Sequence, residues 1–238
     1  MQADHKVNSD DKEIKKFDGM AHQWWDEDGD CKPLHLINPL RANYIDSHSP
    51  VAEKNIVDIG CGGGILTEAL AQRGAKATGI DLAKTSIEVA KLHALESQLT
   101  INYQCTSAER FAEEHSEQFD IVTCLEMLEH VPDPLSTINA CTQLLKPGGD
   151  LFLSTLNRNP KSYLMAIVGA EYILKWLPKG THEYKQFIRP SELAAWCREC
   201  GLVVNDLVGI VYNPLTQSFK LQANDVDVNY IMWLSKPS

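Results

Sequence analysis

Apolar positions change rhythm along this chain. Between Lys12 and Trp25 they recur at helical spacing, with Ile14, Phe17, Ala21, Trp24 and Trp25 toward one side, which predicts a helix that caps the domain. The pattern breaks around Pro33 to Pro39, and Leu40 to Ile45 predicts a further helical turn ended by SHSP. From Asn55 short apolar runs alternate with amphipathic stretches. NIVDIG, KATGIDL, INYQC, FDIVTCL and DLFLSTL predict five buried strands. Between them, ILTEALAQRG with its stop at Gly74, TSIEVAKLHALES, a short stretch near Glu109 to His115, and DPLSTINACTQLL closed by a KPGG turn predict helices.

After the fifth strand comes the most apolar run of the chain, SYLMAIVGAEYILKWLPKG. Then RPSELAAWCRECG predicts a helix, and LVVNDLVGIVY and VNYIMWL two more strands. Strands alternating with helices imply a parallel sheet with right-handed crossovers, an α/β doubly wound architecture with one edge finished by the two late strands. A chain of 238 residues supports one large domain. Its expected parts are an N-terminal helical cap (1–50), a core (51–158), an apolar helical insertion or lid (159–187) and a C-terminal helix and strands (188–238).

Charge and cysteines narrow the class. The formal net charge of -10 removes the bulk attraction used to neutralise phosphates, so no nucleic-acid partner is expected. The polar, mixed-charge start MQADHKVNSDDKEIKKFDGM lacks the apolar core of a secretory signal, and a cytosolic chain is the expectation. Seven scattered cysteines suit reduced thiols. Cys197 and Cys200 have C-x-x-C spacing, yet no second pair completes a zinc site and they lie late in a helical pattern, so they read as two helix residues.

Candidate chemistry begins at VDIGCGGG, where a loop follows a strand and opens a helix. Gly60, Gly62 and Gly64 allow backbone to come close to a ligand. In a dinucleotide fingerprint the third small residue would fall at Ile65, which argues against a pyrophosphate cofactor. Asp81 ends the next strand, at the distance where a carboxylate bonds a ribose diol; the alternative is a cap for the following helix.

VDIGCGGG, ATGID, FDIVTCLEMLEHV and LLKPGGDLFLST, in this order, resemble the motif set of class I S-adenosylmethionine-dependent methyltransferases. FDGMAHQWWD, PLHLINPLR, CLEMLEHVPDP, STLNRN and KGTHEYKQFI extend the similarity nearly end to end to the ubiquinone-biosynthesis O-methyltransferases of that family. The resemblance implies a seven-stranded, mostly parallel sheet of order 3-2-1-4-5-7-6 and S-adenosylmethionine as methyl donor. It places the cofactor against Gly60, Gly62, Asp81 and Leu125, with Arg41 near its methionine end and Ser107 to Glu109 near the adenine. The implied acceptors are polyprenylated catechols, 2-polyprenyl-6-hydroxyphenol and 3-demethylubiquinol, and other ubiquinone-biosynthesis proteins are possible partners. Another small phenolic acceptor, a non-catalytic cofactor- or lipid-binding component, and a dehydrogenase stay open as alternatives.

A phenol with an ordinary pKa near ~10 is mostly protonated at neutral pH, so transfer to its oxygen needs a base or a metal. Glu126, Glu129 and His130 are spaced i, i+3, i+4 and would share one face of a helical turn. Three readings follow: all three hold Mg²⁺ or another divalent cation; His130 is a metal-free general base with Glu129 or Glu126 orienting it; or Glu129 and His130 cap the turn before Pro132.

The apolar run from Tyr163 to Leu177 would make a helix of roughly 22 Å, short of a hydrocarbon core of about 30 Å. Glu171 and Lys175 form one polar stripe, Lys161 and Lys179 flank the run, and Tyr172 and Trp176 carry amphipathic rings. This is the profile of an interfacial helix, and the polyprenylated acceptor that the resemblance implies would take residues 161–185 to a membrane lipid surface, at the inner face of the cytoplasmic membrane, where they double as a lid; a core helix is the alternative.

Overall fold

The computed structural model describes residues 8–163 and 184–238. The apolar run from Leu164 onward, and His182 with it, lies outside the described residues, so the lid, anchor and core readings of 159–187 rest on sequence.

The elements run α1 (Asp11–Met20), α2 (Lys32–His48), β1 (Asn55–Ile59), α3 (Ile65–Ala71), β2 (Lys76–Asp81), α4 (Lys84–Glu96), β3 (Asn102–Cys105), α5 (Ala108–Glu114), β4 (Phe119–Leu125), α6 (Pro134–Leu144), β5 (Leu145–Leu156), the turn α7 (Pro160–Ser162), α8 (Pro190–Glu199), β6 (Val203–Asn213), β7 (Ser218–Gln222) and β8 (Asn229–Ser235). They build one sheet of order β3-β2-β1-β4-β5-β8-β6-β7. The first five strands are parallel, β8 inserts antiparallel between β5 and β6, and β7 pairs antiparallel with β6. The expected order is therefore met, with an eighth strand added at the edge. SFKLQ alternates, but it is short and none of its residues is fully buried.

Two local expectations need correction. The helix α2 runs through both prolines instead of breaking there. Pro33 stands in the first turn, where its missing N–H costs nothing, and burial of Ile37, Ala42, Tyr44 and Ile45 holds the helix past Pro39. The KPGG segment is a bulge inside β5 and not a turn before it: Leu145 pairs with Phe119, and pairing resumes with Asp150 on Ile121.

Alternation assigns successive strand residues to opposite faces. Val57, Val122, Leu151 and Leu153 join Ile138, Leu144 and Leu193 on one side, while Ile56, Ile121, Phe152 and Ile231 join Ile45, Leu66 and Leu70 on the other. Each such fully buried side chain contributes about 1.5–3 kcal/mol. With both faces covered, open space is left at the carboxyl ends of β1, β2 and β4.

Candidate active site

At the end of β1 the chain must turn sharply beneath a neighbouring side chain. Gly60 and Gly62 have φ of 71° and 52°. A Cβ at Gly60 would lie 2.7 Å from Cγ of Met127, and one at Gly62 2.6 Å from the Trp24 ring. Glycine is thus required twice over, by backbone conformation and by space. Trp24 is held there by its indole N–H, which donates to Ser86 Oγ at 3.2 Å.

Asp81, at the end of β2, is braced from two sides. Its Oδ2 accepts from the backbone N–H of Gly62 at 2.9 Å and its Oδ1 from that of Ala83 at 2.7 Å. Burial raises its carboxyl above the ordinary value, and these backbone N–H groups work against that rise. Each oxygen retains a lone pair, which suits a vicinal diol. One strand away, Asp58 is buried, with Oδ1 and Oδ2 each 2.7 Å from a threonine hydroxyl, Thr123 and Thr67. Burial pushes it up to about 6.

Beyond Leu125 the expected helical turn does not form. Glu126 has φ of 54°, in the left-handed region, and only Leu128 to His130 make a tight 3-10 turn. The spacing that was to put three ligands on one face therefore sends them apart. Glu126 meets Arg41 at 2.7 Å and Ser154 Oγ at 2.5 Å, both on Oε1, while Nδ2 of Asn229 donates to its Oε2 at 2.9 Å. Glu129 turns under the site, where Thr155 Oγ1 donates to it at 2.8 Å. Burial first, and Glu126 second, hold its carboxyl well above the usual range. His130 turns toward α1, its Nδ1–H donating to Glu13 Oε2 at 2.7 Å with the Phe17 ring edge-on at 5.2 Å. Among the described residues no group of three such side chains could hold a metal ion. In this arrangement Glu126, Glu129 and His130 do not fit a shared divalent cation, since a cation, a hydroxyl and a carboxylate already claim them.

A cavity of about 780 Å³ joins these parts. Gly60, Gly62, Asp81, Leu125, Arg41 and His130 all line it, and Ser107 and Glu109 stand at one end; Glu129 does not reach it. The opposite end is largely apolar, with Ile37 from α2, Leu156 from β5, Ile210 and Tyr212 from β6, and Phe219 from the added strand β7, while Lys161, Asp225 and Asn229 add polar groups to the lining. Sequence reasoning missed Glu13, Asp58 and Asn229. Glu13 and Phe17 are four apart on the predicted first helix, a signal that both meet one target; Asp58 sits inside the glycine motif; Asn229 gave none.

The cavity fits S-adenosylmethionine on two observations. The glycine turn leaves a cradle that a Cβ would fill, and Arg41, only 6% exposed, keeps a buried Nε–H with no partner among the described residues.

Residues 20–207 match the sequence model of a family described as "Methyltransferase domain". The chain is 61% identical over 231 residues to a ubiquinone biosynthesis O-methyltransferase of Saccharophagus degradans, covering 97% of this chain and 98% of that one. It is also 61% identical over 225 residues to the protein of that name from Pseudomonas aeruginosa, covering 94% and 97%. Among solved structures, a SAM-dependent methyltransferase of Thermotoga maritima, described as a possible histamine N-methyltransferase, has a TM-score of 0.66 at 18% identity, over 95% of this chain and 99% of that one. The magnesium protoporphyrin IX methyltransferase of Synechocystis with bound SAH has a TM-score of 0.62 at 16% identity, over 98% and 90%.

Proposed function

Since the chain belongs to the ubiquinone biosynthesis O-methyltransferases, enzymes of the S-adenosylmethionine-dependent methyltransferase family, we propose that it methylates a phenolic hydroxyl of polyprenylated catechols with His130 as general base. The observation that carries the reading is the single cavity that runs from Asp81 and the glycine turn to an apolar end under β6 and β7. Donor and apolar acceptor can lie end to end in it.

When bound, S-adenosylmethionine supplies an electrophilic methyl group, whose bond to sulfur breaks as the phenol oxygen bonds to carbon. Asp81 holds the ribose diol with lone pairs aimed by Gly62 and Ala83. Gly60 and Gly62 let backbone approach the methionine portion, Leu125 packs beside it, and Arg41 Nε–H meets its carboxylate. His130 takes the phenol proton. With Nδ1–H given to Glu13, the ring accepts at Nε2, and the carboxylate stabilises the imidazolium that forms. Trp24 and Phe17 line the cavity from above and exclude water.

Transfer of a labelled methyl group from S-adenosylmethionine to an alkylcatechol tests the activity, and absence of labelled product with both short- and long-tailed catechols would reject it. Replacing His130 with Gln is expected to lower kcat about 100-fold while the affinity for S-adenosylmethionine, measured by calorimetry, stays put. Unchanged kcat would remove His130 from the base role.

Membrane docking through residues 161–185 belongs to the same proposal. Its support is the amphipathic ring and lysine pattern of that run together with the lipid nature of the acceptor. Among the described residues no helix is long and apolar enough to cross a membrane. Flotation with liposomes checks the docking: deleting 164–180 is expected to abolish co-flotation, and unchanged flotation would defeat it.

A further inference from the structure

Three donors converge on Glu126. Arg41 and Ser154 take Oε1, and the Asn229 amide nitrogen takes Oε2 at 2.9 Å. That contact fixes which way the amide points, since the reverse orientation would set an amide oxygen against a carboxylate oxygen. It leaves Asn229 Oδ1 buried and, among the described residues, without a hydrogen-bond donor, in a residue only 9% exposed.

The position is specific. Asn229 opens β8, in register with Leu156 of β5 and Ile210 of β6, and all three line the cavity. That end of the cavity thus carries an acceptor, Asn229 Oδ1, that meets no donor among the described residues. A buried acceptor in that state favours a ligand that brings it a proton donor.

We infer that Asn229 is a specificity and positioning residue for the acceptor: its Oδ1 accepts a hydrogen bond from the catechol hydroxyl that is not being methylated. The inference rests on the catechol reading above and assigns the second oxygen of that substrate. The reacting hydroxyl gives its proton to the base. Its neighbour keeps its proton through the reaction and needs an acceptor; Glu126 already accepts from three donors, whereas Asn229 Oδ1 accepts from none among the described residues. Anchored by Asn229, the ring cannot spin in its apolar slot, and the reacting oxygen stays turned toward the donor. A monophenol of the same shape leaves Oδ1 unpaired, and a site built around a hydroxyl rejects the analogue that lacks one.

The test is a binding ratio. Enzyme loaded with S-adenosylhomocysteine is titrated with a short-tailed alkylcatechol and with the matched alkylphenol. The wild type is expected to prefer the catechol about tenfold or more, and Asn229→Leu, which fills the space without an acceptor, to bring the two affinities within about twofold of each other. Retained affinity for S-adenosylhomocysteine reports that the variant is folded; should Leu fail that check, Asn229→Ala is read instead. A variant that still prefers the catechol as the wild type does overturns the assignment while the catechol reading stands. A wild type that transfers no methyl to any catechol brings down the reading itself, and the assignment with it.

Discussion

Glu129 shows how far one side chain can depart from the role its spacing suggests. It is 2% exposed, sits behind the cavity wall and takes its hydrogen bond from Thr155. Its folded-state pKa is raised by burial, so between the ordinary carboxylate range and that raised value the folded chain binds more protons than the unfolded one, and stability falls as pH rises through that window. Glu129→Gln keeps an acceptor for Thr155 and removes the ionisation. Its melting temperature should therefore gain on the wild type more at about pH 8.5 than at about pH 5.5, and a pH-independent difference in calorimetric melts would contradict the buried-carboxyl account. Asp58, pushed up to about 6 by burial, adds a smaller loss of the same sign at lower pH. At Gly62 the constraint is steric. Gly62→Ala must adopt φ of 52° and push its methyl against Trp24, a strain of about 1–3 kcal/mol, and is expected to lose S-adenosylmethionine binding in calorimetry.

Among the elements, α1 contributes to the site and little to the core. None of its residues is fully buried, yet Glu13 holds His130, Asp18 accepts from the Thr85 N–H, and Phe17 faces the imidazole. Removing residues 1–20 is accordingly expected to leave thermal unfolding nearly cooperative while weakening S-adenosylmethionine by about tenfold or more, as calorimetry would read. The alternating sheet, the glycine turn and Asp81 were legible in sequence because each follows from a local rule: apolar runs between helices, a glycine loop after a strand, an acid at the next strand end. The Glu126–Glu129–His130 face was misread for an equally physical reason. A spacing of i, i+3, i+4 means one face only in a continuous helix, and the left-handed conformation of Glu126, imposed by its tertiary ties to Arg41, Ser154 and Asn229, carries no local mark. Asn229 lies 103 residues from its partner, beyond any pattern window.

At the scale of the whole molecule, a formal charge of -10 sets the terms for any encounter with a bilayer. If residues 161–185 dock, their lysines act against a repelling background, so flotation at low salt should be weaker with anionic than with neutral vesicles, and the gap should close as ionic strength shortens the Debye length to about 8 Å. Preference for anionic vesicles at low salt would show that the local patch dominates. The amide of Asn8 spans to Asp133, 125 residues away, and the first helix reaches His130 across 117. Residues ahead of the first strand thus find their partners only after four strands have been made, and β8, the last strand of the sheet in sequence order, must still slide between β5 and β6. Sequence order and assembly order run opposite ways, so the apolar end of the cavity stays unsealed until β8 has paired.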